Sequence, residues 1–150
     1  KDVAIKSTVR EKTLCPAWAE TFAVDLGHDE IREHPTLVVT CEDHDLVGGN
    51  DFMGFFEVPL TGLEHGRSRG WHELRKDPTK PKLDVSGELE IVLRWRHSPD
   101  RVFAPFRDVD DDLKQVPNEL VVGLGRGREL AIMDTSMFSK GGSSDPRCLF

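Results

Sequence analysis

Between Glu88 and Trp95 charged and apolar side chains alternate almost without a break. Leu89, Ile91, Leu93 and Trp95 share one face, while Glu88, Glu90 and Arg94 share the other. A period of two suits a β-strand with one covered face and not a helix, whose apolar positions recur about every 3.6 residues. The same pattern returns elsewhere. Phe22, Val24 and Leu26 alternate with Ala23 and Asp25, and Ala4 to Val9 alternates in part. Thr36 to Cys41 is a continuous β-branched and apolar run, as expected of a strand covered on both faces. Phe55 to Leu60 ends at Thr61-Gly62, Gly70 to Leu74 forms another short run, and Glu119 to Leu124 is apolar again. Short strands separated by turn residues predict an all-β antiparallel sandwich.

The chain has 150 residues, enough to bury a core, and no apolar run approaches the roughly 20 residues that span a bilayer. It opens at Lys1 within a strand-like run, so it is expected to be an excerpt of a longer protein or a processed chain. A net charge of −7 disfavours nucleic acid and, without a cation, an anionic membrane surface. The three cysteines, Cys15, Cys41 and Cys148, are odd in number and contain no C-x-x-C pair, which points to a reducing, cytoplasmic compartment.

Three stretches carry a family resemblance. Thr13-Leu14-Cys15-Pro16-Ala17-Trp18-Ala19-Glu20-Thr21-Phe22 resembles the T-L-x-P-x-W-x-E-x-F signature of C2 domains. Val39 to Asp45, followed by Asn50-Asp51-Phe52-Met53-Gly54, resembles the third calcium loop of that family. Leu130 to Asp134, continuing to Ser144-Asp145-Pro146, is similar to its first calcium loop, and Gly87 to Leu93 to its closing strand. The resemblance implies a C2-type antiparallel β-sandwich, a calcium cofactor and an anionic phospholipid membrane as partner, with protein partners besides. It also implies a peripheral membrane location.

The order of these pieces departs from the family, because the first-loop piece comes last. Residues 1–97 resemble a C2 domain lacking its first strands, 98–116 form an acidic linker, and 117–150 resemble the opening of a C2 domain. Two readings are open. The chain straddles two tandem copies, or the tail completes the front piece in a permuted order. The second is geometrically allowed, since residues 98–116 can span roughly 60 Å at about 3.3 Å per extended residue.

On this resemblance the expected metal ligands are Asp43, Asp45, Asp51, Asp134 and Asp145. Calcium takes six to eight oxygens at roughly 2.3–2.6 Å, and closely spaced Asp side chains can converge on it. Without a cation, each like-charge pair near 4 Å costs about 1 kcal/mol in water and about 4 at an effective dielectric of 20. Leu46, Val47, Met137 and Phe138 sit at the loop tips, where C2 domains that respond to calcium contact the membrane. The leading expectation is a module that binds phospholipid when calcium is present and brings a larger protein to a membrane. The alternative is an interaction or structural repeat module that needs no calcium.

Other signals are weaker. Asp43-x-Asp45 fails as an EF-hand because Val47 and Gly54 stand where an oxygen ligand and Glu belong. Asp108, Asp110 and Asp112 fail because Leu113 replaces the required Gly. Gly123-Leu124-Gly125-Arg126-Gly127 reads as a turn after a strand and lacks the last Gly of a dinucleotide fingerprint. No nucleophile, base and orienting acid group together, so no enzyme activity is expected.

Overall fold

The structure is a computed structural model that describes residues 4–25, 36–46, 48–60, 63, 67–96, 119–135 and 141–150. Leu26, Val47, Met137, Phe138 and the whole 98–116 linker therefore lie outside the described residues. The described chain forms nine strands. They are β1 (Ala17–Asp25), β2 (Thr36–Asp43), β3 (Asp51–Pro59), β4 (Arg67–Glu73), β5 (Glu88–Arg96), β6 (Glu119–Arg128), β7 (Asp134–Thr135), β8 (Gly142–Ser143) and β9 (Pro146–Leu149). One sheet has the order β1-β6-β5-β4, a second has β3-β2-β9, and β7-β8 is a small hairpin. All pairings are antiparallel.

The inner faces meet in a core whose members alternate along each strand. On β5 they are Leu89, Ile91, Leu93 and Trp95; on β6, Leu120, Val122 and Leu124; on β2 and β9, Val39, Cys41 and Cys148. The alternation read at Glu88–Trp95 is thus the inner and outer face of β5. Glu90 on the outer face is nonetheless buried, because Arg69 of β4 and Arg126 of β6 close over it as ion pairs. Arg128 and Arg126 also lie over the ring of Trp71, at 4.2 and 5.7 Å from its centroid.

Two expectations change. The 36–41 run is covered on one face only: Val39 and Cys41 are fully buried, whereas Val38 is 46% exposed. A two-layer sandwich leaves the outer side of each sheet to solvent, so a continuous apolar run does not by itself mean two covers. The Gly123–Gly127 stretch is no turn but the second half of β6, paired to β1 and β5. Its glycines admit close neighbours. A Cβ at Gly125 would stand 2.7 Å from Glu90 Oε2, and one at Gly127 3.0 Å from Pro16 Cγ.

Strands from the tail take part in both sheets. β6 lies between β1 and β5, and β9 pairs with β2 on one side. On its other side β9 bonds the segment from Ile5 to Arg10, through Ile5–Phe150, Ser7–Cys148 and Arg10–Pro146 backbone hydrogen bonds. Both sheets therefore depend on segments from the two ends of the sequence. The described residues contain no helix long and apolar enough to cross a membrane.

The Pro-Trp stretch is the joint between the layers. Trp18 is buried and its Nε1 donates to Thr8 O at 3.0 Å, while Arg10 donates to Trp18 O. The register slips between Ala17 and Glu20 where Ala19 takes a positive φ of 53°. This bulge turns Glu20 toward Thr8 and Arg10, both of which it accepts from.

Candidate metal centre

The acidic loops gather at one end of the sandwich because the strands beneath them are neighbours. Asp43 closes β2, Asp45 follows two residues later, Asp134 opens β7, and Asp145 immediately precedes β9. Pairing of Asp43 with Pro146 brings the tail loop beside the front loop. Carboxylate oxygens of Asp43, Asp45 and Asp134 then lie within 4.8 Å of one another. Asp43 is buried, Asp45 half-buried and Asp134 exposed, so the cluster opens outward from a buried floor.

The floor residue is fixed. Asp43 Oδ1 accepts the backbone N–H of Asp145 at 2.5 Å. Burial pushes the Asp43 carboxyl above its ordinary range; the Asp145 N–H pulls it back, and the charges of Asp134, Asp45 and Asp145 push it further up. A carboxylate so placed gains from any cation that restores its charge balance.

The other two expected ligands are placed differently. Asp145 is close enough for its charge to act on Asp43, but its Oδ1 accepts the Lys12 backbone N–H at 2.6 Å and it is not a member of the three-carboxylate group. Asp51 opens β3 directly across from Asp43 in the β2–β3 register, is exposed, and does not belong to that group either. Of the tip residues, Leu46 is 94% exposed. Val47, Met137 and Phe138 lie outside the described residues.

Two braces were not assigned a role from sequence. Asn50 donates to Glu42 Oε2 and shares a 3.1 Å contact with His44 Nδ1, tying the limbs of the front loop together. Ser144, fully buried, accepts the Met133 N–H at 3.0 Å and lies 2.9 Å from Ala131 O, which pins the limbs of the tail loop. Their signal was present in the N-D and S-D-P stretches, where each polar residue adjoins a candidate ligand. Gly54 has a clear reason too. It takes a φ of 128°, and a Cβ there would stand 2.7 Å from Val85 Cγ1. It faces Cys41 where the β2–β3 register slips by a bulge, one step before the pairs that end at Asp43.

The donor set suits a hard cation. Two oxygens bound to one calcium at roughly 2.3–2.6 Å can be no more than about 5 Å apart. The three carboxylates meet that limit, and all their ligand atoms are oxygen.

The C2 domain model matches residues 1–74. Synaptotagmin-1 of Rattus norvegicus is 30% identical over 95 residues, covering 59% of this chain and 22% of that protein. Ras GTPase-activating protein 4 of Mus musculus is 32% identical over 94 residues, 61% of this chain and 11% of that protein. Synaptotagmin-C of Diplobatis ommata is 28% identical over 76 residues, 51% of this chain and 14% of that protein. The chain thus spans less than a quarter of the length of these relatives. No solved structure gave a significant match. C2 domains are membrane-targeting or lipid-binding modules, generally non-catalytic, and they commonly bind calcium. The match, the relatives and the two-sheet antiparallel sandwich place residues 1–74 of this chain in the C2 domain family.

Proposed function

We propose that this chain is a calcium-dependent phospholipid-binding module that docks a larger cytoplasmic protein on an anionic membrane. The observation that carries this reading is the meeting of Asp43 and Asp45 with Asp134, which is distant from them in sequence, with their oxygens within 4.8 Å. Such a cluster repels itself unless something neutralises it. Asp43, Asp45 and Asp134 would hold the ion. Asp145 would position Asp43 through its backbone N–H, and its own second oxygen and Asp51 are the candidates to extend the set. A bound calcium ion would supply positive charge and coordination positions for phosphate oxygens of lipid headgroups. The exposed side chain of Leu46 beside the cluster supports contact with the acyl boundary. Fully burying one such side chain yields about 1.5–3 kcal/mol. Val47, Met137 and Phe138 are proposed to act with it. Residues 1–97 and 117–150 are proposed to form one permuted C2 unit, since each sheet combines strands of both.

The test is sedimentation with vesicles of phosphatidylserine and phosphatidylcholine. The protein should pellet with them in calcium and stay in the supernatant in excess chelator. Equal pelleting under both conditions would overturn the calcium-dependent mechanism.

A further inference from the structure

Cys41 and Cys148 are the two buried thiols of this chain, and they stand directly opposite each other on adjacent antiparallel strands. Positions in such a ladder alternate between hydrogen-bonded and non-hydrogen-bonded pairs, and side chains approach more closely in the second kind. Three observations place Cys41–Cys148 in the second kind. The His44 N–H donates to Asp145 O, which makes 44–145 a hydrogen-bonded position, so the pairs one and three steps along are not. Pro146, opposite Asp43 at the first of these, has no N–H to give. Cys148 itself turns its backbone away from β2: its N–H donates to Ser7 Oγ and its carbonyl accepts the Ser7 N–H, both at 2.8 Å.

In a non-hydrogen-bonded pair the Cα atoms are about 4.5 Å apart, within the roughly 4.4–6.8 Å that a disulfide spans. Both side chains face the core and neither is exposed at all. The geometry points to a reversible disulfide between Cys41 and Cys148, a redox clamp that joins the tail strand β9 to the front strand β2. The site lies at the seam where the ends of the sequence meet, two residues from Asp43 on one strand and three from Asp145 on the other. This inference does not rest on calcium binding.

The oxidant class is a small-molecule disulfide such as oxidised glutathione. One protein thiolate attacks a glutathione sulfur and releases one glutathione thiolate. The second protein thiolate attacks the resulting mixed disulfide and releases the other glutathione. The two protons lost by the cysteines leave on the two glutathione thiols, and the electrons of the two protein sulfurs reduce the glutathione disulfide. Because both sulfurs are buried, the first attack waits for the seam to open, so the clamp closes on the timescale of local unfolding. Once closed, it links positions more than a hundred residues apart and restricts the unfolded chain strongly.

The experiment uses the full chain with Cys15→Ser, which removes the exposed thiol. The protein is equilibrated in glutathione buffers of increasing oxidised fraction, with urea below the unfolding midpoint so that the seam can open. Free thiols are counted in denaturant, non-reducing peptide maps are recorded, and melting is followed. The inference predicts that two thiols disappear together, that the Cys41 and Cys148 peptides become linked, and that the melting temperature rises by roughly 5–10 °C. Dithiothreitol should reverse all three changes. Cys148→Ser in the same background should acquire no link and show no oxidation-dependent rise. Thiols that stay free at every buffer ratio, or glutathione found separately on each cysteine with no link, would overturn it.

Discussion

Leu124→Ala tests whether the tail is part of the same core as the front piece. Leu124 lies on β6, is 1% exposed, and shares the core with Trp18 and Trp95, which come from β1 and β5. The substitution removes three carbon groups, worth about 2.4 kcal/mol at roughly 0.8 per group. The cavity left behind adds to that, so a loss of about 3–4 kcal/mol is expected. That is a large share of the roughly 5–15 kcal/mol that a domain of this kind holds. At roughly 2–4 °C per kcal/mol it lowers the melting temperature by about 6–15 °C. Val121→Thr, three residues away on the outer face of the same strand, keeps the β-branch and should cost less than about 1 kcal/mol. The assay is urea and thermal unfolding followed by tryptophan fluorescence, because the tryptophans of the front sheet then report on a mutation in the tail. An unchanged midpoint for Leu124→Ala, or equal effects of the two substitutions, would refute the pairing of β6 between β1 and β5.

Glu90→Gln should make stability less sensitive to acid. The side-chain hydrogen bond from Arg69, aided by Arg126, holds the Glu90 carboxyl below its ordinary value of 4.5 despite its burial. A depressed carboxylate contributes stability above that value and loses it as pH falls. The wild-type advantage over Glu90→Gln is therefore greatest near neutrality and shrinks below about pH 4.5, as unfolding at several pH values would show. Asp43 works with the opposite sign, because its carboxyl is pushed up by burial and by its acidic neighbours. Protonation of Asp43 favours the calcium-free fold, so Asp43→Asn should not destabilise that form at neutral pH, as melting in chelator would show. Gly54→Ala should cost about 2–4 kcal/mol, since the residue holds a left-handed φ and its new methyl would meet Val85 and Leu74. Urea unfolding would register that loss as a lower midpoint.

Much of the sandwich is legible in the sequence where one residue decides one face. The alternation of β5 states which side chains are inside, and the structure buries those four. The 36–41 run misleads because Val38 is apolar yet faces solvent, and outward apolar residues are common on sheets. Gly123 to Gly127 misleads for another reason. Glycines there look like turn residues, and what they serve is the close approach of Glu90 and Pro16, which are distant in sequence. The same non-locality governs the acidic cluster. Asp43 and Asp45 can be paired from their spacing alone. The arrival of Asp134 depends on β9 seating against β2, which nothing in the local sequence around Asp134 specifies. Asp51 illustrates the converse. It is near Asp43 in both sequence and register, yet it stays outside the group of three carboxylates.

Isothermal titration of calcium into the intact chain, beside the double variant Asp43→Asn and Asp45→Asn, reads the central claim most directly. Asparagine at position 43 can still accept the Asp145 N–H, so the fold should persist, as melting in chelator would verify. The account predicts saturable heat for the unaltered chain and its loss in the folded double variant. Equal heat from both proteins, or none from the unaltered chain, would contradict it.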